Sequence, residues 1–163
     1  MRTLRKLLSV LVAVLSISLT AFSQQPEAKP TPPANPKYDA ELVKKLGADE
    51  RGMRPYVLVI LKTGPKTIAA GKERDEMFAG HFANMTRLAK EGKLVLAGPL
   101  DRVDGWRGLF VFAVDSIEEA KKLTETDPVI INGEMIAEYH KYYGSAGLMM
   151  VNEIHEKISK QNP

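Results

Sequence analysis

The chain has 163 residues, with 23 Lys plus Arg against 20 Asp plus Glu, 44% hydrophobic and 26% charged residues, and no cysteine. That length holds one domain with some chain to spare, and the composition excludes both a disordered chain and a multi-span membrane protein. The absence of cysteine excludes disulfides, thiolate metal sites, a cysteine nucleophile and a lipidated N-terminal cysteine.

Arg2, Arg5 and Lys6 precede an apolar run from Leu7 to Phe22, and Ala21-Phe22-Ser23 offers small residues at the two positions a signal peptidase reads. Residues 1–23 are therefore expected to be a secretory signal peptide cut near Ser23, which makes the protein periplasmic or secreted. Retention of the leader as a membrane anchor is the alternative, because the run approaches the length of a spanning helix. The leader carries three of the basic residues and none of the acidic ones, leaving 20 of each in residues 24–163. With no basic surplus in the mature chain, the electrostatic footprint of nucleic-acid binding is missing.

Five of the ten prolines fall between Pro26 and Pro36, so residues 24–37 read as an extended linker. Residues 38–55 form a helical extension, its helix running from Tyr38 to Leu46 with Leu42, Val43 and Leu46 on one side and Gly47 as the stop. Tyr56 to Lys62 is a β-branched apolar strand closed by Gly64-Pro65. A long helix from about Glu73 to Glu91 follows, with Phe78, Phe82, Met85, Leu88 and Ala89 on its apolar stripe. Leu94 to Ala97 and Gly108 to Val114 are strands joined by the turn-rich stretch from Asp101 to Arg107. Ser116 and Glu119 form a capping box for a second helix running to about Thr126. A connection containing Asp127-Pro128 and Asn132-Gly133 leads to a last strand, about Met135 to Tyr143, and residues 146–163 close the chain as a helix. The core, residues 56–145, thus reads β-α-β-β-α-β, an α+β, ferredoxin-like order.

The first three strands are apolar at consecutive positions, which requires both faces of the sheet to be covered. Two crossover helices cover one face only. The other is expected to meet the flanking helices or a second copy of the chain, and a homodimer is the simplest arrangement.

Near-matches to known motifs carry little. His155-Glu156 opens a zinc-protease box without its second histidine, and Gly64-Pro65-Lys66-Thr67 has proline where a P-loop needs glycine. Nothing clusters at metal-ligand spacing, so no metal or other cofactor is expected. His81 stands apart, because it projects from the apolar stripe of the long helix. A polar group there must find a partner or line a cavity. It is either a core histidine bonded to a backbone carbonyl or a general acid/base at a pocket between helix and sheet. Trp106, with Arg102 or Arg107, is placed to rim such a pocket, and His140 on the last strand faces either the same cavity or solvent.

The run from Tyr56 to Tyr143 resembles the YCII-related family of small α+β proteins. The likeness lies in the opening apolar strand, the histidine within GHFANMTRLAKEGKLVLAGPL from Gly80 to Leu100, the helix after Ser116, and Thr126-Asp127-Pro128. The resemblance implies a ferredoxin-like fold that dimerises as an α+β barrel, with an active site built from His81 and Asp127 and a ligand-binding turn at Gly98-Pro99. Pro128 keeps Asp127 extended, so its carboxylate either orients the imidazole or caps the turn it stands in. The expected partners are a small organic molecule and a second copy of the chain, with no nucleic acid and no membrane span after leader removal. Two functions fit: an exported enzyme of elimination or lyase type, and a non-catalytic ligand-binding or dimeric interaction module.

Overall fold

The computed structural model describes residues 35–160. The expected leader over residues 1–23 and nearly all of the linker over 24–37 lie outside the described residues. Helix α1 spans Ala40–Leu46, begun by Asp39, whose side chain accepts the Leu42 amide, and ended by Gly47 in the left-handed conformation. Strand β1 is Met53–Thr63, helix α2 Lys72–Lys90, strand β2 Leu94–Pro99 and strand β3 Trp106–Phe112. Ser116 caps α3, Ile117–Thr124, by accepting the Glu119 amide at 3.1 Å. A one-turn helix α4, Pro128–Ile131, precedes strand β4, Met135–Ser145, and a 3₁₀ segment, Ala146–Met150, leads into α5, Val151–Ile158.

The strands form one antiparallel sheet in the order β2-β3-β1-β4, the ferredoxin-like arrangement. Because side chains alternate across a strand, Val57, Val59 and Leu61 of β1 face the helices beside Phe110 and Phe112 of β3. Met77, Leu88, Ala120 and Val129 close over them to form the main core. Fully burying a side chain of this kind stabilises the fold by about 1.5–3 kcal/mol. Tyr56, Val95 and Val111 are buried on the other face, against Leu148 and Met149 of the C-terminal segment. The Tyr56 hydroxyl donates to the Ser145 carbonyl at 2.9 Å. The covering is partial, since Ile136 and Tyr142 of β4 and Leu96 of β2 remain exposed.

Residues 53–55 of the expected helical extension belong to β1, Gly98 and Pro99 of the expected turn belong to β2, and three further features depart from the sequence reading. Phe82 is 59% exposed, because the line of α2 that turns inward is Met77, His81, Asn84 and Leu88, and Phe82 lies beside it on the rim. The Asp127-Pro128 connection is helical: Asp127 accepts the Val129 amide and Pro128 takes the first helical position, in a turn too short to show a period. Strand β3 starts two residues early, and its pairing with β1 slips between Leu61 and Lys62, where Gly108 and then Trp106 stand opposite. Arg107 is the extra residue of that bulge, and bulges redirect side chains.

Gly80 sets how closely α2 approaches α4. A Cβ at this position would lie 2.9 Å from Cγ of Pro128, a ring atom with little room to yield. Gly80→Ala gains helix propensity of up to about 1 kcal/mol but overpacks the contact by about 1–3 kcal/mol. A net loss of about 1 kcal/mol is expected in urea unfolding; a stabilised variant would show that the two helices separate freely.

Candidate functional site

His81 is 7% exposed in the middle of the inward line of α2, and Asp127 is 1% exposed at the start of α4. The imidazole Nδ1 lies 2.9 Å from Oδ1 and 2.8 Å from Oδ2 of that carboxylate. Oδ1 also accepts the Val129 amide at 3.2 Å, so Asp127 both caps its turn and holds the histidine. Thr126, one residue earlier, donates its hydroxyl to Asn84 Oδ1 on α2, which keeps the loop registered against the helix that carries His81. A carboxylate facing Nδ1 requires a proton there, which leaves the lone pair of the neutral ring on Nε2.

The ring is boxed by aromatic neighbours. Phe110 lies nearly parallel to it at 6.0 Å between centroids, Phe78 stands edge-on at 6.1 Å and Phe82 sits at 5.4 Å. Among the described residues Nε2 makes no hydrogen bond, and His81 lines a cavity of about 260 Å³ open to solvent. Phe82, Gly98, Pro99, Arg102 and Arg107 line it with His81. An imidazole held at Nδ1 by a buried carboxylate, with Nε2 unbonded and the residue in a cavity wall, is equipped to take and return a proton.

Gly98 and Pro99 therefore stand in one wall of the His81 cavity, while Asp127 stands behind the ring. Trp106 and His140 are not brought to it. Both lie on the sheet face turned away from α2: Trp106 pairs with Lys62, and His140 pairs with Leu58. His140 is exposed, and its Nε2 lies 2.7 Å from Glu138 on its own strand. The even spacing of His140 with Ile136, Glu138 and Tyr142 leaves their common face open, and the pairing of β4 to β1 decides it.

A second charged node escaped the sequence reading. Glu134 is 4% exposed, accepts the Ile68 amide and the Arg74 Nη2, each at 2.9 Å, and lies 3.8 Å from Arg107 Nη2. The Ile68 amide, followed by Arg74 and Arg107, outweighs the cost of burial and holds the Glu134 carboxyl below the usual carboxylate range. Arg74 in turn stacks over the Phe78 ring at 4.6 Å. The one local signal was an acidic residue directly after the Asn132-Gly133 turn, which by itself reads as an exposed turn residue. Among the described residues no three His, Asp or Glu side chains converge as they would on a metal ion.

Comparison with known proteins matches residues 55–140 to the model of the YCII-related domain. The uncharacterised protein YjpA of Bacillus subtilis (strain 168) is 34% identical over 67 residues, 41% of this chain and 76% of that protein. Among solved structures, the 5-chloro-2-hydroxyhydroquinone dehydrochlorinase of Burkholderia phenoliruptrix AC1100, in complex with 2,5-dihydroxybenzoquinone, is 22% identical with a TM-score of 0.37. That match covers 51% of this chain and 90% of the other.

The geometry makes Asp127→Asn informative. The Val129 amide holds the Asn oxygen at the Oδ1 position, so the NH₂ replaces Oδ2 and donates to Nδ1. The ring proton is then expected to move to Nε2, the cavity side. Long-range ¹H–¹⁵N spectra of the histidine ring read this directly, and a ring proton on Nε2 in the unsubstituted protein would contradict an orienting role for Asp127.

Proposed function

Since the chain belongs to the family of YCII-related domain proteins, we propose that it is an exported member whose His81 performs acid–base chemistry on a small organic molecule, with Asp127 as orienting partner. The observation that supports this reading is one contact: His81 Nδ1 within 2.9 Å of both Asp127 oxygens, with Nε2 unbonded and His81 in a cavity wall. In the proposed step Nε2 takes a proton from an activated C–H, forming N–H as C–H breaks, and the electron pair stays on the substrate. Asp127 stabilises the imidazolium that results. Returned to carbon, the proton gives exchange or isomerisation. Where the neighbouring carbon bears a leaving group, the same pair forms C=C and the group departs as an anion, which is an elimination. The cavity suits a molecule of about one substituted ring, at the small end of ligand sites.

In this reading the protein works as a homodimer in which a second sheet covers the exposed Ile136, Tyr142 and Leu96. Among the described residues no helix is long and apolar enough to cross a membrane. Light scattering combined with intact-mass measurement on protein recovered after export tests both assignments. Two copies, each beginning at Gln24, are expected, whereas a monomer or a retained leader contradicts the corresponding part.

Catalysis is tested by proton exchange in D₂O, followed by NMR on 2-oxo acids, small ketones and hydroxylated aromatics. The protein is expected to accelerate exchange of at least one class, and His81→Gln to remove roughly 100-fold or more of the acceleration with the fold intact by circular dichroism. Exchange at the buffer rate throughout, with binding unaltered by His81→Gln, would assign the cavity to ligand binding alone.

A further inference from the structure

Arginine carries five N–H donors and no acceptor, so one that is largely removed from water needs acceptors supplied to it. The Arg107 side chain is 12% exposed, and its nearest carboxylate, Glu134 at 3.8 Å, lies outside hydrogen-bond range. Glu134 is already engaged, one oxygen on the Ile68 amide and the other on Arg74. A single carboxylate thus faces two guanidinium groups and hydrogen-bonds one of them. Arg102, on the same cavity wall, has no ion pair or side-chain hydrogen bond among the described residues, and its backbone is held at φ 70°, a conformation non-glycine residues rarely adopt. Asp101 in that turn is bonded back to the Val103 amide, and neither it nor Asp104 lines the cavity. Asp127 sits behind the imidazole. The cavity therefore presents two guanidinium groups that no carboxylate of the described residues hydrogen-bonds and whose nitrogens are open to solvent, beside the histidine ring.

We infer that this cavity takes an organic anion, a carboxylate or phenolate held by Arg107 and Arg102, with its reacting carbon toward His81 Nε2. The inference rests on the acid–base reading of His81 and Asp127 and names the substrate class for that site. An anionic oxygen replaces water on Arg107, in the forked geometry that guanidinium and carboxylate share. A neutral amide of the same shape offers one uncharged carbonyl acceptor in place of two charged oxygens and gains less. The same two cations stabilise the negative charge that appears on the substrate when His81 removes its proton. Phe82 and Met85 are shared with a second, mostly apolar cavity of about 430 Å³ between α2, β2 and α5. The body of the anion accordingly extends along these two side chains.

The test compares benzoate, 4-hydroxybenzoate and 2-naphthoate with the corresponding amides, using NMR titration of the purified protein. The anions are expected to shift the Arg107 Nε–H and His81 ring signals saturably and to bind roughly tenfold or more tightly than the amides. Arg107→Gln is expected to remove that preference, Arg107→Lys to keep part of it, and both to change amide binding far less than anion binding. Arg102→Gln, at an exposed side chain with no partner to lose, is expected to weaken anion binding severalfold and serves if Arg107→Gln does not fold. Equal affinity for amides and anions, no saturable shift from any of the three anions, or anion binding unchanged in both Gln variants overturns the inference. His81→Gln separates the two claims. If it loses exchange while the wild type shows no anion preference, the acid–base reading stands and the anion assignment falls. If the anion preference holds but the unsubstituted His81 ring carries its proton on Nε2, the oriented-base reading falls and the anion site stands.

Discussion

The hydrogen bond from His81 to Asp127 joins two elements that the chain separates by 46 positions, and much of the local architecture serves to make it at 2.8 to 2.9 Å. Gly80 lets α2 lie against Pro128, Thr126 ties the approaching loop to Asn84, and the Val129 amide turns the carboxylate toward the ring. Each of these contacts is modest alone. Together they place a carboxylate and an imidazole in a largely apolar setting, where the imidazole has no other protein hydrogen bond and the carboxylate has only the Val129 amide besides. Removing one member of such a buried pair costs far more than the pair contributes, about 3–5 kcal/mol, because the remaining group is stranded.

The same economy governs the opposite wall. A bulge in β3 brings Arg107 round to the helix side of the sheet, and Glu134, anchored on the Ile68 amide, holds Arg74 over Phe78 while lying just short of Arg107. The cavity between the two walls thus has an imidazole held at Nδ1 on one side and guanidinium groups on the other. Its remaining lining is aromatic and aliphatic, which keeps the local dielectric low and strengthens both sets of interactions. Charge development on a bound molecule is favoured in one sense only, toward the negative.

The alternation of strands and helices was legible because hydrophobic period and local stop signals agree along the core: Ser116 with Glu119 and Gly47 mark boundaries found in the fold, whereas Gly98-Pro99 reads as a turn and forms the last two residues of β2. Family membership is likewise written in the run from Tyr56 to Tyr143. His81 was conspicuous as the polar residue on an apolar stripe. The stripe itself was drawn slightly off, since Phe82 belongs to the rim, because a sequence period locates a helical face only to within a residue or so. Asp127 stood out through the resemblance and not through local pattern, and α4 was invisible because four residues show no period.

What the sequence determined by itself was therefore local: where the chain turns helical or extended, which face of each element is apolar, and that one histidine sits on the wrong side of that divide. Tertiary structure alone decided what that histidine meets. Nothing in the spacing of residues 81 and 127 specifies a contact, and nothing in the strand alternation of His140 says which sheet face is β4's open one. The place of Arg107 in the cavity wall depends on a pairing slip between β1 and β3, and the engagement of Glu134 on a backbone amide 66 residues away. These are distances between elements, set by packing and register, and no single element encodes them.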